Sequence, residues 1–316
     1  MKKRTFLILL AVMIGPLCLV GTSKAADVDT LLEMNTGYRV DDLDWNIAGS
    51  LDGTNPNILS ELIWDDLEIF QVKAGMRAAI NNAFYVRASL AYGWILDGDN
   101  QDSDYKGDNR TQLYSRSVNN ADEGDVWDAT LGIGYQFNLL SDRLKLIPIG
   151  GYAYSEQNLT LTDGVQTVSL PPATQPVGPI ERLDSTYETQ WTGPWLGMDV
   201  WFQASPKITL YGSFEYHWAD YEGVANWNLV DDFAHPKSFE HDADGSGIVV
   251  TLSGEYVLEG PWSLSFTANF QDWSTDAGLD RLYYADGSVT DSRLNEVNWE
   301  SYAILVGITY RFGAKL

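Results

Sequence analysis

Along Glu300–Phe312 every second residue is apolar or aromatic: Tyr302, Ile304, Val306, Ile308, Tyr310 and Phe312. The residues between them are Ser301, Ala303, Leu305, Gly307, Thr309 and Arg311, smaller and more polar as a set. A period of two belongs to an extended strand, because successive side chains leave opposite faces of the pleat. A strand with a greasy face bracketed by aromatics, and a second face that tolerates Ser, Thr and Arg, suits the wall of a membrane barrel: lipid outside, a polar interior inside. An edge strand of a soluble sandwich would show the same alternation, so the rest of the chain has to discriminate.

The same pattern returns along the sequence. Leu32, Met34, Thr36, Tyr38 and Val40 alternate in a first strand, and Phe70, Val72, Ala74, Met76 and Ala78 supply the lipid face of a second, over 58–80. Phe84, Val86, Ala88, Leu90, Tyr92, Trp94 and Leu96 oppose Arg87, Ser89, Ala91 and Gly93 in a third. Further strands are predicted at 127–139, 144–162, 187–203, 208–218, 247–258, 262–274 and 298–312, ten in all. Their connections alternate. Asn81-Asn82, Ser141-Asp142-Arg143, Ala204-Ser205-Pro206-Lys207 and Glu259-Gly260-Pro261 are tight turns, whereas 41–57, 97–124, 163–185, 219–246 and 275–297 read as long polar loops. The third of these carries Pro171, Pro172, Pro176 and Pro179, which disfavours regular strand. Loop lengths segregated to the two ends, with an even strand number, are the outer-membrane pattern. The expected fold is therefore all-β, a ten-stranded antiparallel transmembrane β-barrel with long extracellular loops and short periplasmic turns.

No apolar run besides the N-terminal one approaches the ~18 residues that a membrane helix needs. The chain nevertheless holds 12 Trp, 17 Tyr, 11 Phe and 28 Gly at a mean hydropathy of only −0.19, as alternation would produce. At the N-terminus, Lys2, Lys3 and Arg4 precede an apolar stretch from Phe6 to Val20 and then Ser23-Lys24-Ala25. That order is a secretory signal peptide, residues 1–25, with the barrel as residues 26–316. Cys18 falls within the signal, so the mature chain has neither a disulfide framework nor thiol chemistry.

Charge narrows the function. The chain has 20 basic and 44 acidic residues, and removing the four basic residues of 1–25 leaves 16 against 44, a net charge of −28. Such a surface repels nucleic acid and attracts cationic peptides and proteins. The expected setting is the outer membrane of a Gram-negative bacterium, with its lipid as partner and the protein a monomer.

Three segments resemble the omptins, the ten-stranded outer-membrane proteases. Ser60-Glu61-Leu62-Ile63-Trp64 is similar to their second strand, Tyr187 to Gly197 to their sixth, and Gly307-Ile308-Thr309-Tyr310-Arg311-Phe312 to their closing strand. The resemblance implies two facing acidic pairs above the membrane, an Asp couple opposite an Asp-His dyad, with a water between them that attacks a peptide bond. A neutral His held by a carboxylate takes a proton from that water, while the opposite acids position it and protonate the leaving group. Asp102-Ser103-Asp104-Tyr105 matches the family's Asp-x-Asp-aromatic. The same acid-rich run also reads as a solvated loop. At the family's dyad positions, however, stand Asn226 and Asn228, and the loop offers Asp231, Asp232 and His235 instead. Glu215 with His217, and His241 beside Asp242, are the other pairings. The resemblance also implies lipopolysaccharide as an activating lipid and no other cofactor or metal. Tyr152 stands at the aromatic of that lipid site, but Tyr154 and Glu156 replace an acid and an Arg.

Two functions follow from these observations. One is a surface endopeptidase acting on cationic peptides through Asp102, Asp104, Asp232 and His235. The other is a barrel of the same architecture that lost the dyad and serves as a structural, adhesive or binding protein. An open pore fits poorly, because side chains largely fill a barrel of this strand number.

Overall fold

The computed structural model describes residues 27–312; the signal peptide expected over residues 1–25 lies outside the described residues, as does the stretch after Phe312. The elements are β1 (Val28–Ile47), β2 (Ser60–Ile80), β3 (Phe84–Gly107), β4 (Thr111–Tyr135), β5 (Phe137–Leu139), β6 (Leu144–Ser169), β7 (Gly178–Pro179), β8 (Ser185–Ser205), β9 (Ile208–Asn226), β10 (Phe239–Val257), β11 (Trp262–Thr275), β12 (Gly278–Tyr283) and β13 (Val289–Phe312). Neighbours pair antiparallel in the order β1-β2-β3-β4-β6-β8-β9-β10-β11-β13, and β13 returns to pair with β1 from Thr30↔Phe312 to Ile47↔Leu294. The ten long strands thus close a ring, and β5, β7 and β12 are short additions to it. Closure matters in lipid, where an unpaired strand edge has no water to satisfy it.

The lipid face is the one expected. Met34, Phe70, Trp94, Ile133, Leu196, Phe214 and Val306 are all exposed, whereas Arg87 on the opposite face of β3 is buried. The tight turns appear where the Asn pair and the Ser-Asp pair predicted them. Asn81 and Asn82 both take positive φ (52° and 55°), as do Leu140, Ser141 and Asp142. Asn and Asp tolerate the left-handed region better than other side-chain-bearing residues, which is why they serve in hairpin turns.

At the other end the structure corrects the reading of the connections. The stretch 97–124 is no loop: β3 and β4 run on as a hairpin to a turn at 108–110, with Asp104 paired to Ser115. Likewise β1 extends to Ile47, β9 to Asn226 and β10 begins at Phe239. The barrel therefore continues well above the membrane as paired strands. The acidic residues in these segments had hidden the period of two, because outside the lipid both faces of a strand can be polar.

Inside, the membrane-level core is held by buried ion pairs. Arg39 donates from Nε and Nη2 to Asp41, each at 2.6 Å, and from Nη1 to Asp128 at 2.6 Å. Gln157 and the Trp299 indole complete the Asp41 shell at 3.0 and 3.1 Å. Arg87 reaches Asp199 and Glu215 at 2.7 Å each and Tyr211 and Ser213 at 2.9 Å each. A buried charge is tolerable only when its partner and remaining lone pairs are satisfied. Replacing Arg87 by Ala strands Asp199 and Glu215 without their counter-ion, so the variant should lose about 3–5 kcal/mol in urea unfolding from detergent or bilayers. A variant as stable as wild type would show that the network contributes nothing to folding.

Candidate functional site

Above the ion-pair layer the interior is aromatic. Strand alternation aims Trp64 of β2, Tyr187 and Trp191 of β8, Tyr221 of β9, Trp273 of β11 and Trp299 of β13 at the barrel axis, and all are buried. Trp64 stacks on Tyr187 with ring centroids 5.3 Å apart and planes 12° apart, and Trp273 on Trp299 at 5.5 Å and 16°. Trp191 bridges the two groups, 4.6 Å from Tyr221 and 5.7 Å from Trp273. Each ring buries a large apolar surface, and offset or tilted pairs add to that. The result is a plug across the barrel at the level of its outer rim.

A polar thread runs through this plug. The Tyr187 hydroxyl lies 2.6 Å from that of Tyr221 and 2.7 Å from His241 Nδ1. His241 Nε2 stands 3.3 Å from Asp280 Oδ1, and Ser292 donates to the other oxygen of Asp280 at 2.9 Å. His241 thus turns inward to Asp280 of β12, whereas Asp242 is exposed on the opposite face. The sequence does not mark this thread, because β12 falls within 275–297, which reads as loop, and Asp280 has no visible partner there. The signal was present in β8, where Tyr187, Trp191 and Trp195 fall on the face opposite Leu196 and Met198. His217 and Glu215 are also interior, 3.2 Å apart, at the level of Arg87.

Asp102 and Asp104 come together on the inner face of the β3–β4 hairpin, beside Leu62 and Ser60 of β2. Asp102 is partly exposed as a residue, but its Oδ1 is sealed from solvent and has no hydrogen-bond partner. Burial pushes its carboxyl well above the usual range, the charge of Asp104 adds to this, and Trp227 pulls weakly the other way. Burial also raises Asp104, opposed by the hydroxyls of Ser60 and Ser115. Burial pushes the nearby Tyr114 phenol up to about 12, with the charges of Asp104 and Asp102 adding to it.

The other predicted pair lies in the segment 227–238 between β9 and β10. Asp231, Asp232 and His235 are exposed there. His235 Nδ1 is 2.8 Å from Asn226 Oδ1, and among the described residues no hydrogen bond or ion pair joins His235 to Asp232. Instead the backbone carbonyl of Asp232 accepts from the Ala285 N–H, which ties the segment to the β12–β13 hairpin. Alternation along β9 sends Tyr221 and Ala225 into the core and Asn226 to the outer side. Asn228 accepts from Ser185 Oγ at 3.0 Å and donates to the Arg182 carbonyl at 2.8 Å, a cross-brace between two loops. At the position of the lipid-binding aromatic, Tyr152 is exposed on the lipid face, and Tyr154 donates to Glu156. Among the described residues no group of three or more His, Cys, Asp or Glu side chains is arranged to hold a metal ion.

Comparison with known proteins agrees with this architecture. The outer membrane protease OmpT from Escherichia coli is similar over 92% of this chain and 99% of that one, with a TM-score of 0.75 at 14% identity, a likeness of fold. The translocator domain of the autotransporter NalP from Neisseria meningitidis gives a TM-score of 0.38 at 13% identity, covering 98% of this chain and 95% of that one, too low to add to the reading. No curated protein matches the sequence. The family described as Pom, Protochlamydia outer membrane protein, matches residues 33–312, nearly the whole described barrel. This chain, an all-β barrel of the bacterial outer membrane, belongs to the Protochlamydia outer membrane protein family.

Proposed function

We propose that this protein is a sealed, non-catalytic outer-membrane barrel that holds an acidic rim above the membrane as a binding surface for cationic polypeptide segments. The observation that carries this reading is the aromatic plug. Trp64, Trp191, Trp299, Tyr187 and Tyr221, all at most 1% exposed, fill the barrel axis from the level of Asn100 downward, directly beneath Asp102 and Asp104. The membrane-level ion pairs close the same axis beneath it. Rigidity suits display, since strands paired up to the rim hold their charges in place without the entropy cost of ordering a loop on binding. The net charge of the chain without residues 1–25, 16 basic against 44 acidic residues, supplies the attraction.

A second reading is favoured by one observation, two carboxyl groups side by side on the inner face of β3 in a fold shared with OmpT. In it, Asp102 and Asp104 face Asp232 and His235 as a water-activating endopeptidase site. The His235 ring, oriented by Asn226, would then serve as base once the rim rearranged.

The two readings separate in one set of measurements on protein refolded with lipopolysaccharide. The binding reading expects cationic peptides to associate without being cleaved, with affinity falling steeply as salt rises, because exposed charges are screened over about 8 Å at physiological ionic strength. It also expects no ion-conducting steps in planar bilayers. Cleavage that drops about 10²–10⁴-fold in His235→Ala would overturn it in favour of the endopeptidase.

Asp102 gives an independent test. Its raised pKa means that the folded rim binds a proton more tightly than the unfolded chain does. Stability is then full below the ordinary carboxylate pKa and declines as pH rises through the raised value. Asp102→Asn, which cannot ionise, should remove this decline and leave the rim more stable than wild type at neutral pH. Denaturation followed from pH 4 to 8 checks it, and an Asp102→Asn variant with the wild-type pH profile would count against a buried, protonatable rim.

A further inference from the structure

At the short-turn end, which faces the periplasm in outer-membrane barrels, the interior holds a vestibule of about 380 Å³, with Asp142 and Gly260 of the turns in its wall. A second cavity of about 90 Å³ lies further in, at membrane level, beneath Trp273 of the aromatic plug. The walls of this chamber include Lys73, Arg87, Asp128, Glu215 and His217. A water needs only about 10–15 Å³ and a few polar partners, so the chamber has room and partners for several.

Among the described residues one side chain, Arg77, lines both cavities. Its guanidinium sits over Tyr211, 4.1 Å from the ring centroid, and 5.2 Å from that of Trp201. It pairs at 2.9 Å with Oε2 of Glu33, which lines the chamber. Glu33 is seated over Gly75, its neighbour across the β1–β2 ladder: a Cβ on that glycine would fall 2.3 Å from Glu33 Oε1. Two influences oppose this pairing. Arg87 stands directly opposite Arg77 in the β2–β3 ladder, and like charges so placed repel. From the vestibule side, the buried Glu255 of β10 also attracts Arg77.

Arg77 thus has a carboxylate in each cavity. We propose that Arg77 is a gate: paired with Glu33 it separates the chamber from the vestibule, and turned to Glu255 it opens the chamber to water and small solutes from the periplasm. Either acceptor neutralises the guanidinium, so the two positions differ by far less than the cost of leaving it unpaired. The aromatic plug stays shut in both. The gate therefore admits periplasmic solvent to the membrane-level interior without opening a passage through the barrel, and it works independently of the rim.

The test reads a thiol placed in the chamber. In a Cys18→Ser background, Ser155→Cys puts the only thiol of the chain in the chamber wall, and Thr209→Cys puts it in the vestibule. In protein refolded in detergent, a charged methanethiosulfonate reagent should modify the vestibule thiol fast. The chamber thiol should react slowly, at a rate set by the open fraction. Glu33→Gln, which replaces a charge-assisted bond by a neutral one, should speed the chamber thiol about tenfold. Gly75→Ala should act in the same direction by unseating Glu33 with both charges retained. Glu255→Gln should slow it, because the open position loses its acceptor, and Asp102→Asn at the rim should leave it unchanged. A barrel that is merely loosened would react faster in both Glu33→Gln and Glu255→Gln. That result would overturn the proposal, as would chamber and vestibule thiols that react alike in the otherwise wild-type protein. So would a Glu33→Gln variant that unfolds in urea as wild type does yet keeps the slow rate.

Discussion

Everything in this molecule depends on the pairing of its first strand with its last. In hydrocarbon a backbone N–H or C=O without a partner costs several kcal/mol, and no water reaches it. The β1–β13 ladder, continuous from Thr30↔Phe312 up to a single shift at Asn46/Ile47, removes the two edges that an open sheet of these strands would leave. Once the ring is closed, each strand has one face for lipid and one for the interior, and the period of two becomes obligatory.

Closure creates a second problem, the filling of the interior. The protein answers it differently at different heights. At membrane level it uses Arg39 and Arg87, each bonded to two carboxylates, so that buried charge is neutralised where it stands. Higher up, beyond the lipid, it uses stacked Trp and Tyr rings, which need only one or two polar partners each. The β10–β12 ladder, in which His241 lies opposite Asp280, joins the two strands beside the aromatic layer, so the top of the barrel is braced as well as filled. A wall that is paired up to the rim and an upper interior filled with rings favour a rigid display surface over a working groove.

The candidate catalytic residues illustrate how far spacing carries an inference. Two aspartates at alternate positions must share a strand face, and Asp102 and Asp104 do. Whether that face is open or covered depends on Trp227 and Leu62, which are remote in sequence. For His235 the relevant neighbour, Asn226, is nine residues away across an irregular segment with no periodicity to read. A loop has no fixed side-chain direction, so proximity in sequence to Asp232 says little about contact.

The sequence alone determined the class of fold, the lipid-facing residues and the tight turns. The reason is that lipid enforces strict alternation on each strand, as in Phe84 to Trp94 or Tyr302 to Phe312, and the short turns need residues such as Asn81 and Asn82 that accept positive φ. It left the upper half of the barrel looking like loops, because strands surrounded by water are free to be polar on both faces. Only the tertiary structure decided that Trp64, Tyr187, Trp191, Trp273 and Trp299 meet on the axis, and that Glu33, Arg77 and Glu255 lie around the junction of two cavities. Those groupings come from different strands, and which strands lie opposite one another is a property of the closed ring rather than of any segment within it.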